Sequence, residues 1–124
     1  MAIPRTRYPE VVPYLTKDGS EIRELMHPEH QGNRAQSLAE ATVPPGSATR
    51  PHYHRRSEEI YHVTAGRGWM SVGTERFEIG PGDTVCIPPG ESHWVENDGT
   101  APLHILCACS PAYSHEDTVL VDTA

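Results

Sequence analysis

The 124-residue chain has room for one domain. Its ten glycines and twelve prolines exceed average usage and bring too much turn chemistry for a helical bundle. A formal charge of −7 argues against nucleic acid or an anionic membrane as partner, and the apolar runs are too short to span a bilayer.

Residues 1–20 read as an irregular N-terminal arm. The stretch Met1 to Tyr14 carries three prolines and lacks the apolar core of a secretory signal, so a cytoplasmic location is expected. Strands are predicted over Glu21–Met26, Gln36–Val43, His52–His54, Glu59–Thr64, Gly68–Val72, Arg76–Ile79, Thr84–Ile87, Ser92–Glu96, Leu103–Cys109 and Thr118–Val121. Turn residues separate them, as at Pro44-Pro45-Gly46, Gly80-Pro81-Gly82-Asp83 and Pro88-Pro89-Gly90. So many short strands at this spacing imply an all-β sandwich or barrel. Cys86, Cys107 and Cys109 are odd in number and have no scaffold spacing, which fits reduced thiols.

Eight histidines are more than a domain of this size needs for structure. His52 and His54 are two residues apart, which on a strand puts both imidazoles on one face. Glu59 opens the next strand as an inward position, whereas Glu58 points the other way. His93 follows the Pro88-Pro89-Gly90 break, and a hairpin can return it to the same interior. By the parity of Glu59, Tyr61 and Val63 face inward and His62 outward. Leu103, Ile105, Cys107 and Cys109 share one face, which brings Cys107 toward the same cavity. The strand holding Gln36, Leu38 and Glu40 is expected to add to the pocket wall, and Trp69 or Met70, whichever alternates inward, to its floor. His27, His30 and His115 fall in loops and lack partners at metal spacing.

The two histidine segments resemble the two motifs of the cupin superfamily. Gly46, His52, His54, Glu59 and Gly66 fit the first motif, over residues 46–66. Gly82, Pro88, Gly90, His93 and Asn97 fit the second, over residues 82–97. The nearest general likeness is to small single-domain bacterial cupins described as mannose-6-phosphate-isomerase-like. The resemblance implies a double-stranded β-helix, a jelly-roll barrel, over residues 21–124. It also implies one divalent metal bound by His52, His54, Glu59 and His93. Three imidazoles and a carboxylate suit Fe, Mn, Ni, Co, Cu or Zn better than Ca or Mg. Four protein ligands of an octahedral set leave two positions for a small-molecule substrate.

The leading expectation is a dioxygenase-type enzyme acting on a bidentate oxygen donor, with Glu59 and Tyr61 as catalytic residues and Cys107, Val63 and Gln36 lining the pocket. The first alternative is a non-oxidative isomerase, epimerase or lyase that uses the metal as a Lewis acid on a sugar or carboxylic acid. The second is a binding module that catalyses nothing. A homodimer is expected, because pairing protects the exposed strand edges of a small barrel.

Overall fold

Alternation of inward apolar residues with outward polar ones sets the strands, and glycines and prolines end them. The structure, a computed structural model, describes residues 3–121. In chain order the strands are β1 (Tyr14–Leu15), β2 (Glu21–Met26), β3 (Ser37–Val43), β4 (Ser47–Ala48), β5 (His52–His54), β6 (Glu58–Ala65), β7 (Gly68–Val72), β8 (Glu75–Ile79), β9 (Thr84–Ile87), β10 (His93–Asn97), β11 (Leu103–Ser110) and β12 (Thr118–Leu120). One short helix, α1 (Pro28–Gln31), links β2 to β3. His27 caps it by accepting from the Glu29 amide, and Gly32 stops it in the left-handed conformation at φ 83°. Among the described residues, no helix is long and apolar enough to cross a membrane.

The strands make two antiparallel sheets, ordered β1-β2-β3-β11-β6-β9 and β12-β5-β10-β7-β8, with β4 pairing to β10. This is the all-β jelly-roll, or double-stranded β-helix, that the motifs imply. The inward faces meet in a core that includes Val43, Val63, Met70, Ile87, Val95 and Leu103. Burying each such side chain contributes about 1.5–3 kcal/mol. The outer face of the first sheet leaves Leu38 and Ile60 exposed, both in register with Ala108.

Two features of the N-terminal half differ from the sequence expectation. Within residues 1–20, Tyr14–Leu15 pairs with Ile22 and Glu21, so a two-residue strand extends the sheet edge. Along β3 the inward residues are Ser37, Ala41 and Val43, while Leu38 is exposed. Gln36 precedes the strand and is also exposed, and with Leu38 and Glu40 it belongs to the outer parity. The three share a face as alternation requires, but the apolar residues of the other parity, Ala41 and Val43, take the core side.

The second-motif asparagine does structural work. Asn97 is buried, and its amide donates to the carbonyls of Val43 and Ala101, 2.9 Å each, while its oxygen accepts from the Gly99 amide. Asn97→Ala strands a buried carbonyl and should cost about 1–3 kcal/mol, read as a lower urea midpoint at unchanged slope. An unaltered midpoint would show that these bonds contribute nothing net.

Candidate metal centre

Strand geometry brings four polar side chains to one point. On β5, His52 and His54 share a face and are buried. His93 on β10 pairs directly with His52, and it is completely buried. Glu59 comes from β6 in the facing sheet and is buried as well. One potential ligand atom from each of the four lies within 4.8 Å of all the others.

Hydrogen bonding fixes the imidazole tautomers. His52 Nδ1 lies 2.9 Å from the Arg50 carbonyl and His93 Nδ1 lies 3.0 Å from the Glu91 carbonyl. A carbonyl only accepts, so both Nδ1 atoms carry the proton. His54 Nδ1 lies 2.9 Å from Thr118 Oγ1, and that hydroxyl already donates to the Ser114 carbonyl. It must therefore accept from Nδ1–H. The β5–β12 register, which sets Thr118 opposite His54, makes this possible. In the neutral form, each ring is left with a bare Nε2 lone pair.

Those lone pairs crowd a carboxylate. Glu59 Oε1 is 3.1 Å from His54 Nε2 and 3.4 Å from His93 Nε2, and the latter nitrogen has no hydrogen-bond partner. Acceptors this close in a dry interior repel one another unless a cation stands among them. The donor set, three Nε2 atoms and one carboxylate oxygen, fits a divalent transition metal. The Nδ1 partners of the rings form the outer support such ligands usually have. Burial pushes the Glu59 carboxyl up, but the neighbouring His54 and His93 rings outweigh this and hold it at about 2, so the carboxylate is ionised as a ligand must be. Burial first, then neighbouring His93, lowers His52 below the usual imidazole range, which keeps it neutral as a ligand must be.

The cluster opens onto a cavity between the sheets. Tyr61 and Cys107 line it, and they face each other across the β6–β11 pair. Tyr61 sets its ring edge-on to His93 at 5.7 Å between centroids. Burial, reinforced by Glu59, pushes both the Tyr61 hydroxyl and the Cys107 thiol well up, so both stay protonated. Val63, expected on the wall, is instead in the hydrophobic core, and Gln36 opens on a separate surface recess beside Pro4 and Met26. Met70 turns inward but joins the core, while Trp69 faces out beneath Arg76.

Two neighbours of the cluster were not read from sequence. Cys109 stands opposite Glu59 across the strand pair, and its thiol donates to Oε2 at 3.2 Å. Burial, followed by the Glu59 charge, pushes that thiol far up. Asp18, in the loop after β1, lies against His52 with Oδ2 3.7 Å from Nδ1. Thr16 and Ser20 line the cavity beside it.

Residues 39–109 match the cupin domain family. The chain belongs to the cupin family. Its first motif supplies His52, His54 and Glu59, and its second supplies His93. The chain is 52% identical to an uncharacterized protein of Methanocaldococcus jannaschii over 98% of both chains. It is 34% identical to an oxalate-binding protein of Thermotoga maritima over 69% of this chain and 71% of that one. Among solved structures, a Thermotoga maritima protein described as a predicted oxalate decarboxylase superposes with a TM-score of 0.75. The two share 28% identity, and the match covers 89% of this cupin and 99% of that chain.

Proposed function

We propose that this cupin is a metal-dependent enzyme acting on a small oxygen-donor molecule inside the barrel. The observation that carries this reading is the set of three Nδ1-anchored imidazoles aiming bare Nε2 atoms at buried Glu59. A divalent transition metal bound there would act as a Lewis acid, and four protein donors leave two positions of an octahedral set for a chelating substrate. The name of the oxalate-binding relative supports a chelating oxygen donor as the ligand class.

Non-oxidative chemistry, that of an isomerase, epimerase or lyase, comes first. In the dioxygenase reading Glu59 could leave the metal and act as base. Its carboxylate is buried and is held through Oε2 by the Cys109 thiol. Tyr61, protonated and on the cavity wall, is suited to donate a hydrogen bond to a substrate oxygen. Dioxygenase chemistry is the second reading, supported by the two positions that four protein ligands leave open.

An oxygen electrode separates the two. The protein is loaded in turn with Fe(II), Mn(II), Ni(II) and Zn(II) and given enediol, diketone, hydroxy-acid and sugar substrates. Turnover that is equal with and without oxygen is the expected result. Stoichiometric oxygen uptake would establish the dioxygenase instead. No turnover in either atmosphere, with metal bound, would favour a binding module.

A further inference from the structure

The cavity wall carries charge of one sign. Its carboxylates are Asp18, Glu24 and Glu59, and no lysine or arginine is among its lining residues. The nearest basic side chain of the loop after β1, Lys17, is turned to the C-terminal segment, where it donates to the carbonyls of His115 and Thr118 at 2.9 Å each. The rest of the polar wall consists largely of hydroxyls, including Thr16, Ser20, Thr49 and Thr118. Such a wall gives an anion no cationic fork to bind.

Asp18 is built into this wall rather than solvated. Residues 16–20 close on themselves through the Thr16 amide bonded to the Ser20 carbonyl and the Gly19 amide bonded to the Thr16 carbonyl. Three donors then converge on one carboxylate oxygen. Asp18 Oδ1 accepts from Thr16 Oγ1 at 2.7 Å, Ser20 Oγ at 2.7 Å and the Ser20 amide at 2.9 Å. These bonds hold the plane of the carboxylate. Oδ2 faces His52 from 3.7 Å, beyond hydrogen-bond reach, at the edge of the metal-ligand cluster. Glu24 lies on the same wall, with His30 Nε2 3.4 Å from its Oε1.

We propose that the cavity selects an uncharged polyhydroxy ligand, a sugar or cyclic polyol, and disfavours dianions, with Asp18 accepting a hydrogen bond from a hydroxyl of that ligand. The inference rests on the metal-dependent reading above. A divalent ion is already outnumbered by three carboxylates, so a dianion adds charge to a site that is net negative. A hydroxyl donating to Asp18 makes a charge-assisted bond at no such cost.

Isothermal titration of the zinc-loaded protein with oxalate, and separately with myo-inositol and D-ribose, tests this. Wild type should bind at least one of the two neutral probes more tightly than oxalate. Asp18→Asn keeps the size of the side chain and an oxygen for the Ser20 amide. It should gain oxalate affinity on the order of tenfold, as removal of one nearby charge implies, and lose affinity for the neutral probe. Glu24→Gln, nearer the rim, should shift oxalate the same way and more weakly, and it serves as the readout if Asp18→Asn misfolds by circular dichroism. Tighter oxalate than polyol binding in wild type overturns the proposal. So does unchanged or absent oxalate binding in the variants. Metal content is measured on the same samples. A protein that retains no zinc defeats the metal reading, whereas a zinc-replete protein that prefers oxalate defeats only the ligand class.

Discussion

Replacing His93 by alanine should abolish stoichiometric metal binding and leave the barrel folded. The ring is completely buried, its Nδ1–H is spent on the Glu91 carbonyl, and its Nε2 has no protein partner. Removing a direct donor should cost more than the roughly 10–100-fold in affinity that loss of an outer-shell partner costs. Thr118→Val supplies that smaller effect, because it deletes the acceptor that holds the His54 tautomer and leaves all four donors present. His62→Ala is the control. That ring alternates outward and pairs with Thr84 Oγ1 at 2.7 Å, so metal content should not change. Plasma emission on dialysed samples gives the ratios, and strand circular dichroism reports the fold. His54→Gln replaces the alanine variant if the latter fails to fold. Wild-type metal content in both direct-ligand variants would overturn the assignment.

The parts of this centre that were legible in sequence are those set by short-range parity. A strand alternates with period two, so His52 and His54 had to share a face and Glu58 and Glu59 had to separate. That rule needs no knowledge of neighbouring strands. It does not say which of the two faces turns inward, as Gln36, Leu38 and Glu40 show. There the structured strand begins at Ser37, and the side chains expected on the wall turn out to solvent. Contacts that depend on cross-strand register were also hidden. Cys109 reaches Glu59 because β6 and β11 pair antiparallel with these two opposite, a relation between segments fifty residues apart. Asp18 was hidden for a different reason. Its wall hangs from β1, two exposed residues with no apolar alternation to announce a strand. The turn-forming Asp18-Gly19-Ser20 was recognisable, but its placement over the cavity depends on where the β1–β2 hairpin docks.

Gly66→Ala should be among the most damaging single substitutions outside the metal ligands. Gly66 ends the first motif at φ +84°, in the left-handed region where a side chain costs about 1–2 kcal/mol. Crowding adds to this, because a Cβ there would collide with the carbonyl oxygen of Pro102 and come within 2.8 Å of the Leu103 Cα. Both are backbone atoms that cannot rotate aside, and Leu103 is fully buried at the start of β11. Relief would require β6 and β11 to part at the end where Ile105 packs against Val63. The combined cost should exceed about 3 kcal/mol, a large share of the 5–15 kcal/mol that holds a domain together. Gly46→Ala isolates the backbone contribution. Gly46 opens the same motif at φ +76°, but nothing lies within 4 Å of its added Cβ, so only about 1–2 kcal/mol should be lost. Urea unfolding of the pair measures the difference. Equal losses would mean that the β6–β11 junction gives way at little cost, and that Gly66 is required for its dihedral angle alone.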